Sequence, residues 1–280
     1  MKIRFLICLI FLTTSCTNLS LSKSLSVCSF PQSSPYPGGM VNYSITFNEL
    51  SLEQDLRVEG LKSIICSGKD NSKNLLIPIP LSFEGDQIEI LLSNQLVSTI
   101  EIKHQDYRES RIIIKNQNLV NPPASMQKRI RKEYAEGVSA KNTFNRKLGN
   151  SREMILPLEG IVSSEYGVKR FINGLPRNRH VGLDIASDEG QPVFAPLSGK
   201  VILVDNFFYK GNVVYIDHGN GLVSSYSHLS KSLVSLNQSI STGEELGLVG
   251  STGRVTGPHL HWEVYFLGTV SYTHLRAHET

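Results

Sequence analysis

Cysteine is scarce in this chain of 280 residues, and what there is lies early: Cys8, Cys16, Cys28 and Cys66. No thiol accompanies the histidines of the second half, which excludes a zinc–thiolate centre there. Charge of one sign is also lacking. Lys and Arg number 28 against 25 Asp and Glu, a net charge of +3, so the footprint of a nucleic-acid binder is absent. Long apolar runs are missing too. Phe5 to Leu12 is uninterrupted but too short to span a bilayer as a helix. After Lys2 and Arg4 it reads as the core of a signal peptide over residues 1–22. What remains, with 40% hydrophobic residues, suffices for real cores in one large or two ordinary domains.

Up to about residue 120 the chain alternates and breaks at turn residues. Val41 to Phe47 has the pattern of a half-buried strand. Leu75 to Leu81 is apolar but holds Pro78 and Pro80, which suits an edge or irregular strand. Gln87–Leu92, Val97–Lys103 and Ser110–Lys115 complete a set of short strands. The expectation is a small β-sandwich over residues 30–120, of immunoglobulin-like kind. Cys28 and Cys66 are the two cysteines left for an exported chain and are available to pair. Asn121-Pro122-Pro123 stops the last strand, and Ser125 is placed to cap a helix from Met126 to Glu136. A polar stretch to about Arg152 then reads as linker, making 121–153 a helix-and-linker segment. The basic cluster Lys128, Arg129, Arg131 and Lys132 reads first as a solvated helix face. From Met154 the chain is almost all strand and turn, with strands at Gly199–Val204, Gly211–Asp217, Leu246–Gly250 and His259–Phe266. That predicts a mainly β protein whose second domain, 154–268, is an open antiparallel sheet or barrel-like core with a cleft on one face.

Two short motifs in this second domain carry chemistry: His180-Val181-Gly182-Leu183-Asp184 and Pro258-His259-Leu260-His261-Trp262. Alternate side chains of a strand share a face, so His259 and His261 point one way while Leu260 and Trp262 point into the core. Extended geometry also places His180, Gly182 and Asp184 together, with Gly182 leaving room for close approach of a metal. An i, i+4 pair shares a face on a helix as well, but the alternating β-branched run favours a strand. Imidazoles plus one carboxylate, without thiol, are the donor set of a catalytic zinc site that keeps one position for water, and so of a hydrolase. His228, in Ser225-Tyr226-Ser227-His228, adds a further imidazole. His218, just before Gly219-Asn220-Gly221, reads as a turn residue, and Tyr226 as core.

Residues 155–266 resemble the lysostaphin/LytM family of zinc endopeptidases that cut peptidoglycan cross-bridges. The resemblance is carried by ordered runs at 164–170, 179–186, 190–196, 211–221, 226–230 and 250–264, the last reading Gly-Ser-Thr-Gly-Arg-Val-Thr-Gly-Pro-His-Leu-His-Trp-Glu-Val. It implies a duplicated-hybrid-motif-like fold. It also implies one Zn2+ per chain on His180, Asp184 and His261, with His228 and His259 as unliganded catalytic histidines. The substrate it implies is peptidoglycan peptide stems, cut at a D,D-cross-link. Members that only activate wall amidases have lost metal ligands, whereas all five residues stand here. A D-Ala-D-Ala metallopeptidase of the related zinc type fits less well, because no Glu-x-x-His pair supplies the second half of the site. Asn237 stands where the family has glycine, and asparagine tolerates the left-handed backbone of a turn. Pro35–Gly39 and Tyr107–Lys115 more loosely resemble the β-rich domain that precedes the peptidase in some Gram-negative members.

The ends complete the expectation. Thr13-Thr14-Ser15-Cys16 resembles a relaxed bacterial lipobox, which implies a periplasmic protein, or one anchored to the inner or outer membrane through lipidated Cys16 and facing the cell wall. Residues 269–280 resemble translated adapter or vector sequence and are read as a non-native tail, so His274 and His278 are discounted.

Overall fold

The computed structural model describes residues 33–46, 56–67, 72–146 and 154–270. The expected signal peptide, Cys16, Cys28 and residues 271–280 lie outside them. Six strands form the first unit: β1 (Met40–Thr46), β2 (Leu56–Val58), β3 (Ile64–Ser67), β4 (Ser72–Pro78), β5 (Gln87–Leu92) and β6 (Gln95–Glu101). They make two antiparallel sheets, ordered β1-β4-β3 and β2-β5-β6. The two share one core in which Val41, Leu75 and Ile77 meet Leu56, Val58, Ile88 and Ile90. Cys66 is disulfide-bonded.

β4 differs from its sequence expectation as an edge strand: it is central. Pro78 is its last residue and Pro80 lies beyond it, so neither interrupts the ladder. The run Leu75-Leu76-Ile77 is fully buried because both faces are covered. Leu75 and Ile77 face the first core, while Leu76, with Met40 and Cys66, joins the core of the second unit.

β7 (Glu109–Ile112) also departs from the simple sandwich. It pairs in parallel with β9 (Lys169–Ile172), in register Glu109 to Lys169 through Ile112 to Ile172. Both sandwich sheets are complete without it, and Ile112 and Ile114 instead bury with Ile172 and Val120. Asn173, at φ 51°, locks this junction: its Oδ1 accepts from the Ile114 N–H at 2.9 Å and its Nδ2 donates to the Ile114 carbonyl at 3.1 Å.

After α1 (Gln117–Val120), the helix α2 runs over Gln127–Lys141, longer than expected. Ser125 does not cap it. Ala124–Met126 is a 3-10 turn leading straight in, and Met126 makes no side-chain cap bond. Arg129, expected on a solvated face, bonds the Asn206 carbonyl at 2.7 Å and pairs with Glu133, whose other oxygen accepts from the Phe208 N–H. The helix is thereby docked on the second unit, with Ala140 packed among Phe207, Val213 and Tyr215.

The second unit holds β8 (Ile161–Ser164), β9, β10 (Leu175–Pro176), β11 (Leu183–Ala186), β12 (Pro192–Phe194), β13 (Gly199–Phe207), β14 (Gly211–Gly219), β15 (Leu222–Leu229), β16 (Lys231–Ser232), β17 (Ser239–Ile240), β18 (Glu245–Leu248), β19 (His259–Phe266) and β20 (Thr269–Val270). The main sheet is antiparallel, ordered β17-β13-β14-β15-β19-β11-β8, with β20 added on β19. A second small sheet, β12-β18-β16, closes over its inner face. Leu260, Trp262, Tyr226 and Val214 lie in the core between them. Asn237 takes φ 70°, the left-handed backbone its position suggested. Thr269 and Val270, the first residues of the expected non-native tail, pair with β19: Phe266 with Thr269 and Tyr265 with Val270. No helix among the described residues is long and apolar enough to cross a membrane.

The junction at Asn173 predicts a separable pair of effects. Asn173→Gly keeps the backbone but strands the buried Ile114 amide groups, and should cost about 1–3 kcal/mol in urea unfolding. Asn173→Ala should cost more, because alanine also resists positive φ. Equal stability of all three proteins would refute the junction.

Candidate metal centre

The register between β11 and β19 sets Asp184 opposite His261 and Ala186 opposite His259. β15 flanks the other side of β19, with Ser227 opposite His261. One residue beyond that partner, His228 sits at φ 67°, in the left-handed region. Its N–H donates to the Lys210 carbonyl at 2.8 Å, which holds this costly backbone in place. His180 precedes β11 rather than lying in it, yet its Nε2 comes within 3.0 Å of Asp184 Oδ1.

Three donor atoms converge. His180 Nε2 lies 3.0 Å from both Asp184 Oδ1 and His261 Nδ1, and the last two are 2.6 Å apart. This triangle is slightly tighter than one face of a zinc tetrahedron, whose donors stand roughly 3.4 Å apart for bonds near 2.1 Å. The residues therefore fit a zinc ion: nitrogen and oxygen donors, all buried, turned on one another. Each donor is also oriented from behind. His180 Nδ1–H donates to the Glu165 carbonyl at 2.7 Å, leaving Nε2 for metal. Asp184 turns Oδ1 inward while Oδ2 accepts from Arg170 Nη2 at 2.6 Å. His261 is reversed, with Nδ1 inward and Nε2 3.3 Å from Glu263 Oε1. Glu263 Oε2 in turn accepts from Ser225 Oγ at 2.6 Å and from Lys210 Nζ. Backing of this kind fixes ring orientation and raises ligand basicity.

The electrostatics match. Burial alone would raise the Asp184 carboxyl, but hydrogen bonds from His180 and His261 outweigh it and hold the group far below the usual carboxylate range. Burial would raise Glu263 too, yet Lys210 and then His261 pull it well down. Burial lowers His180 below its ordinary value against the pull of Asp184. Burial also opposes a charge on His261, but Glu263 and Asp184 prevail and raise it. A proton on His261 thus sits where a dication would otherwise neutralise two carboxylates, so metal binding should release it.

His228 and His259 face the same cleft. Their ring centroids are 4.8 Å apart, and that of His228 lies 5.8 Å from His261. His228 Nδ1–H donates to the Thr252 carbonyl at 2.8 Å and His259 Nδ1–H to that of Gly257 at 2.9 Å, so each leaves Nε2 for the cleft. Burial, then His261 and His259, push His228 well below its ordinary value and keep it neutral. The cleft, of about 400 Å³, includes Ser110, Ile112 and Ile114 from the β7 segment in its lining.

All five expected residues are therefore brought together. His218 is structural: Nδ1 meets the Ser198 carbonyl at 3.0 Å and Nε2 meets Ser224 Oγ at 2.7 Å. Tyr226 is core, as expected. Sequence reasoning missed Glu263, although it shares a strand face with His261 two residues earlier. It also missed Arg170, for which the sequence holds no local signal. Gly182 serves differently from expectation, since the space of its missing side chain is taken by the His261 ring. A Cβ there would lie 2.7 Å from His261 Cε1 and from the Trp262 carbonyl oxygen.

Residues 178–272 match the family described as peptidase family M23. Peptidoglycan DD-endopeptidase ShyA of Vibrio cholerae is 34% identical over 185 residues, 66% of this chain and 41% of that protein. ShyB of the same organism, also described as a peptidoglycan DD-endopeptidase, is 45% identical over 85 residues, 30% of this chain and 20% of it. The chain thus spans well under half the length of these relatives. A crystal structure of a peptidase M23 protein from Pseudomonas aeruginosa superposes with a TM-score of 0.61 at 29% identity, covering 85% of this chain and 92% of that one.

Gly182→Ala should displace the His261 ring and abolish tight zinc binding while the β fold persists. Competition with a chromophoric chelator measures the affinity, and circular dichroism the fold. Wild-type affinity in the variant would refute this account of the glycine. In the wild type, zinc at a hundredfold excess over Kd should stabilise by about 2.7 kcal/mol in thermal melts.

Proposed function

Taking residues 178–272 as a peptidase family M23 domain, we propose that this chain is an exported zinc metalloendopeptidase that hydrolyses peptide cross-links between peptidoglycan stems, at a D,D-bond. One zinc would be held by His180, Asp184 and His261, with His228 and His259 handling protons. The observation that carries the reading is the convergence of three buried donors and two further imidazoles on one cleft. The printed activity of the two Vibrio relatives supports the choice of bond.

Zinc, when bound, supplies Lewis acidity to a scissile carbonyl and lowers the pKa of a water toward about 7. The chain's own groups do the rest. His228, neutral and with Nε2 open, accepts a proton from the attacking water. His259 stands beside it with its own Nε2 toward Asp184 at 3.9 Å. In this reading it is the second imidazole, which steadies the developing oxyanion and gives the leaving amine its proton. Arg170 keeps Asp184 from rotating, and Glu263 keeps Nδ1 of His261 inward. The alternative, a regulator that activates wall amidases without cutting, has no need of this set. Outside the cytoplasm is where such a substrate lies, and the leader over residues 1–22 and lipidation at Cys16 are part of the same proposal.

Digestion of purified cross-linked peptidoglycan, read by mass spectrometry, tests it. Dimers should fall to monomers with zinc and persist with a chelator or with His261→Ala. His228→Ala should keep zinc but lose about 10²–10⁴ in kcat. Intact dimers after treatment with zinc-loaded wild type, together with stimulation of an amidase, would shift the reading to the regulator.

A further inference from the structure

A second cavity, of about 830 Å³, opens beside the metal cleft. Tyr209, Lys210, Arg179 and Arg254 belong to both walls, so the two spaces adjoin. Helix α2 lines one side with Ile130, Tyr134 and Val138, and the volume lies within the range of ordinary ligand sites. Its charge is unbalanced. The two carboxylates on the wall are already engaged, Glu133 by Arg129 and the Phe208 N–H, and Glu263 by Lys210, Ser225 and His261. Arg177, Arg179 and Arg254 have no carboxylate partner among the described residues. Arg177 stands out, since its Nε and Nη2 are buried and without any hydrogen-bond partner. Arg254 lies 4.4 Å over the Tyr209 ring, half-buried, and burial together with repulsion from Arg170 and Arg177 lowers its guanidinium below the ordinary value. Buried guanidinium donors left unpaired and held near like charge cost stability, and an arriving anion would recover that cost through forked, charge-assisted bonds.

We propose that Arg177 and Arg254 form a carboxylate-binding subsite beside the metal centre, which selects peptides bearing a free carboxylate near the scissile bond. The proposal rests on the endopeptidase reading for its substrate class, a peptide stem, and adds what that stem must carry. A side-chain carboxylate and a chain-terminal one offer the same two oxygens, so the substrate set separates them.

The test uses zinc-loaded protein and synthetic cross-linked stem peptides in four forms: free acid, amidated at side-chain carboxylates, amidated at the terminus, and amidated at both. Wild type should lose about tenfold or more in kcat/KM on the fully amidated peptide, and one of the singly amidated forms should account for the loss. Arg177→Gln and Arg254→Gln should each raise KM for the free acid about tenfold, leave kcat within about twofold, and erase the preference. Arg177→Gln should melt no lower than wild type, because its donors hold nothing in the fold. Equal cleavage of all four peptides by wild type would overturn the subsite, as would variants that keep the preference or that lose stability and activity on every peptide in parallel. If wild type cleaves none of them, the endopeptidase reading fails. The subsite is then judged by calorimetric binding of the same peptides, where equal affinity for free and amidated forms overturns it.

Discussion

The antiparallel register of β11 against β19 is the constraint on which the site depends. It sets Asp184 opposite His261 across a single ladder step. A slip of one residue would turn His261 into the core and Leu260 to the cleft, because strand side chains alternate. The register is fixed by burial: Leu260 and Trp262 fill the inner core, and Leu183 and Ile185 do the same from the partner strand. The apolar half of these strands therefore positions the polar half, and the donors are held in place before any ion arrives.

Around the donors the protein arranges charge in alternation. Asp184 is backed by Arg170, and His261 by Glu263, which is backed by Lys210. Burying carboxylates is costly unless each is paired and hydrogen-bonded. Here every oxygen of Glu263 and Asp184 has a partner, so the cost is contained and the ligands gain fixed orientation. The cationic wall of Arg177, Arg179 and Arg254 lacks such balance. The contrast between a compensated centre and an uncompensated flank separates what holds the fold from what awaits a partner.

Much of this was legible in the chain. Period-two alternation gave β19 with its limits, and the donor types at His180, Asp184 and His261 announced their chemistry. The left-handed turn at Asn237 followed from residue type. Other features rest on contacts between remote segments. Nothing local marks Arg170 as the partner of Asp184. Prolines made β4 look like an edge, since sequence cannot show that a second unit covers its outer face. Glu263 was visible in principle, two residues after His261 on the same strand face.

The parallel pairing of β7 with β9 also sets the order in which the molecule can be finished. β7 leaves the ribosome first and has no sheet to join until β9 has followed it. The six strands before it can close on themselves meanwhile, but the stretch holding Ile112 and Ile114 must wait with its apolar side chains uncovered. Parallel contacts between distant segments form slowly, because the loop between them must close before any bond rewards it. The cleft gains its β7 wall only when β9 is in place, so the last piece of its lining to form is also the one that joins the two halves.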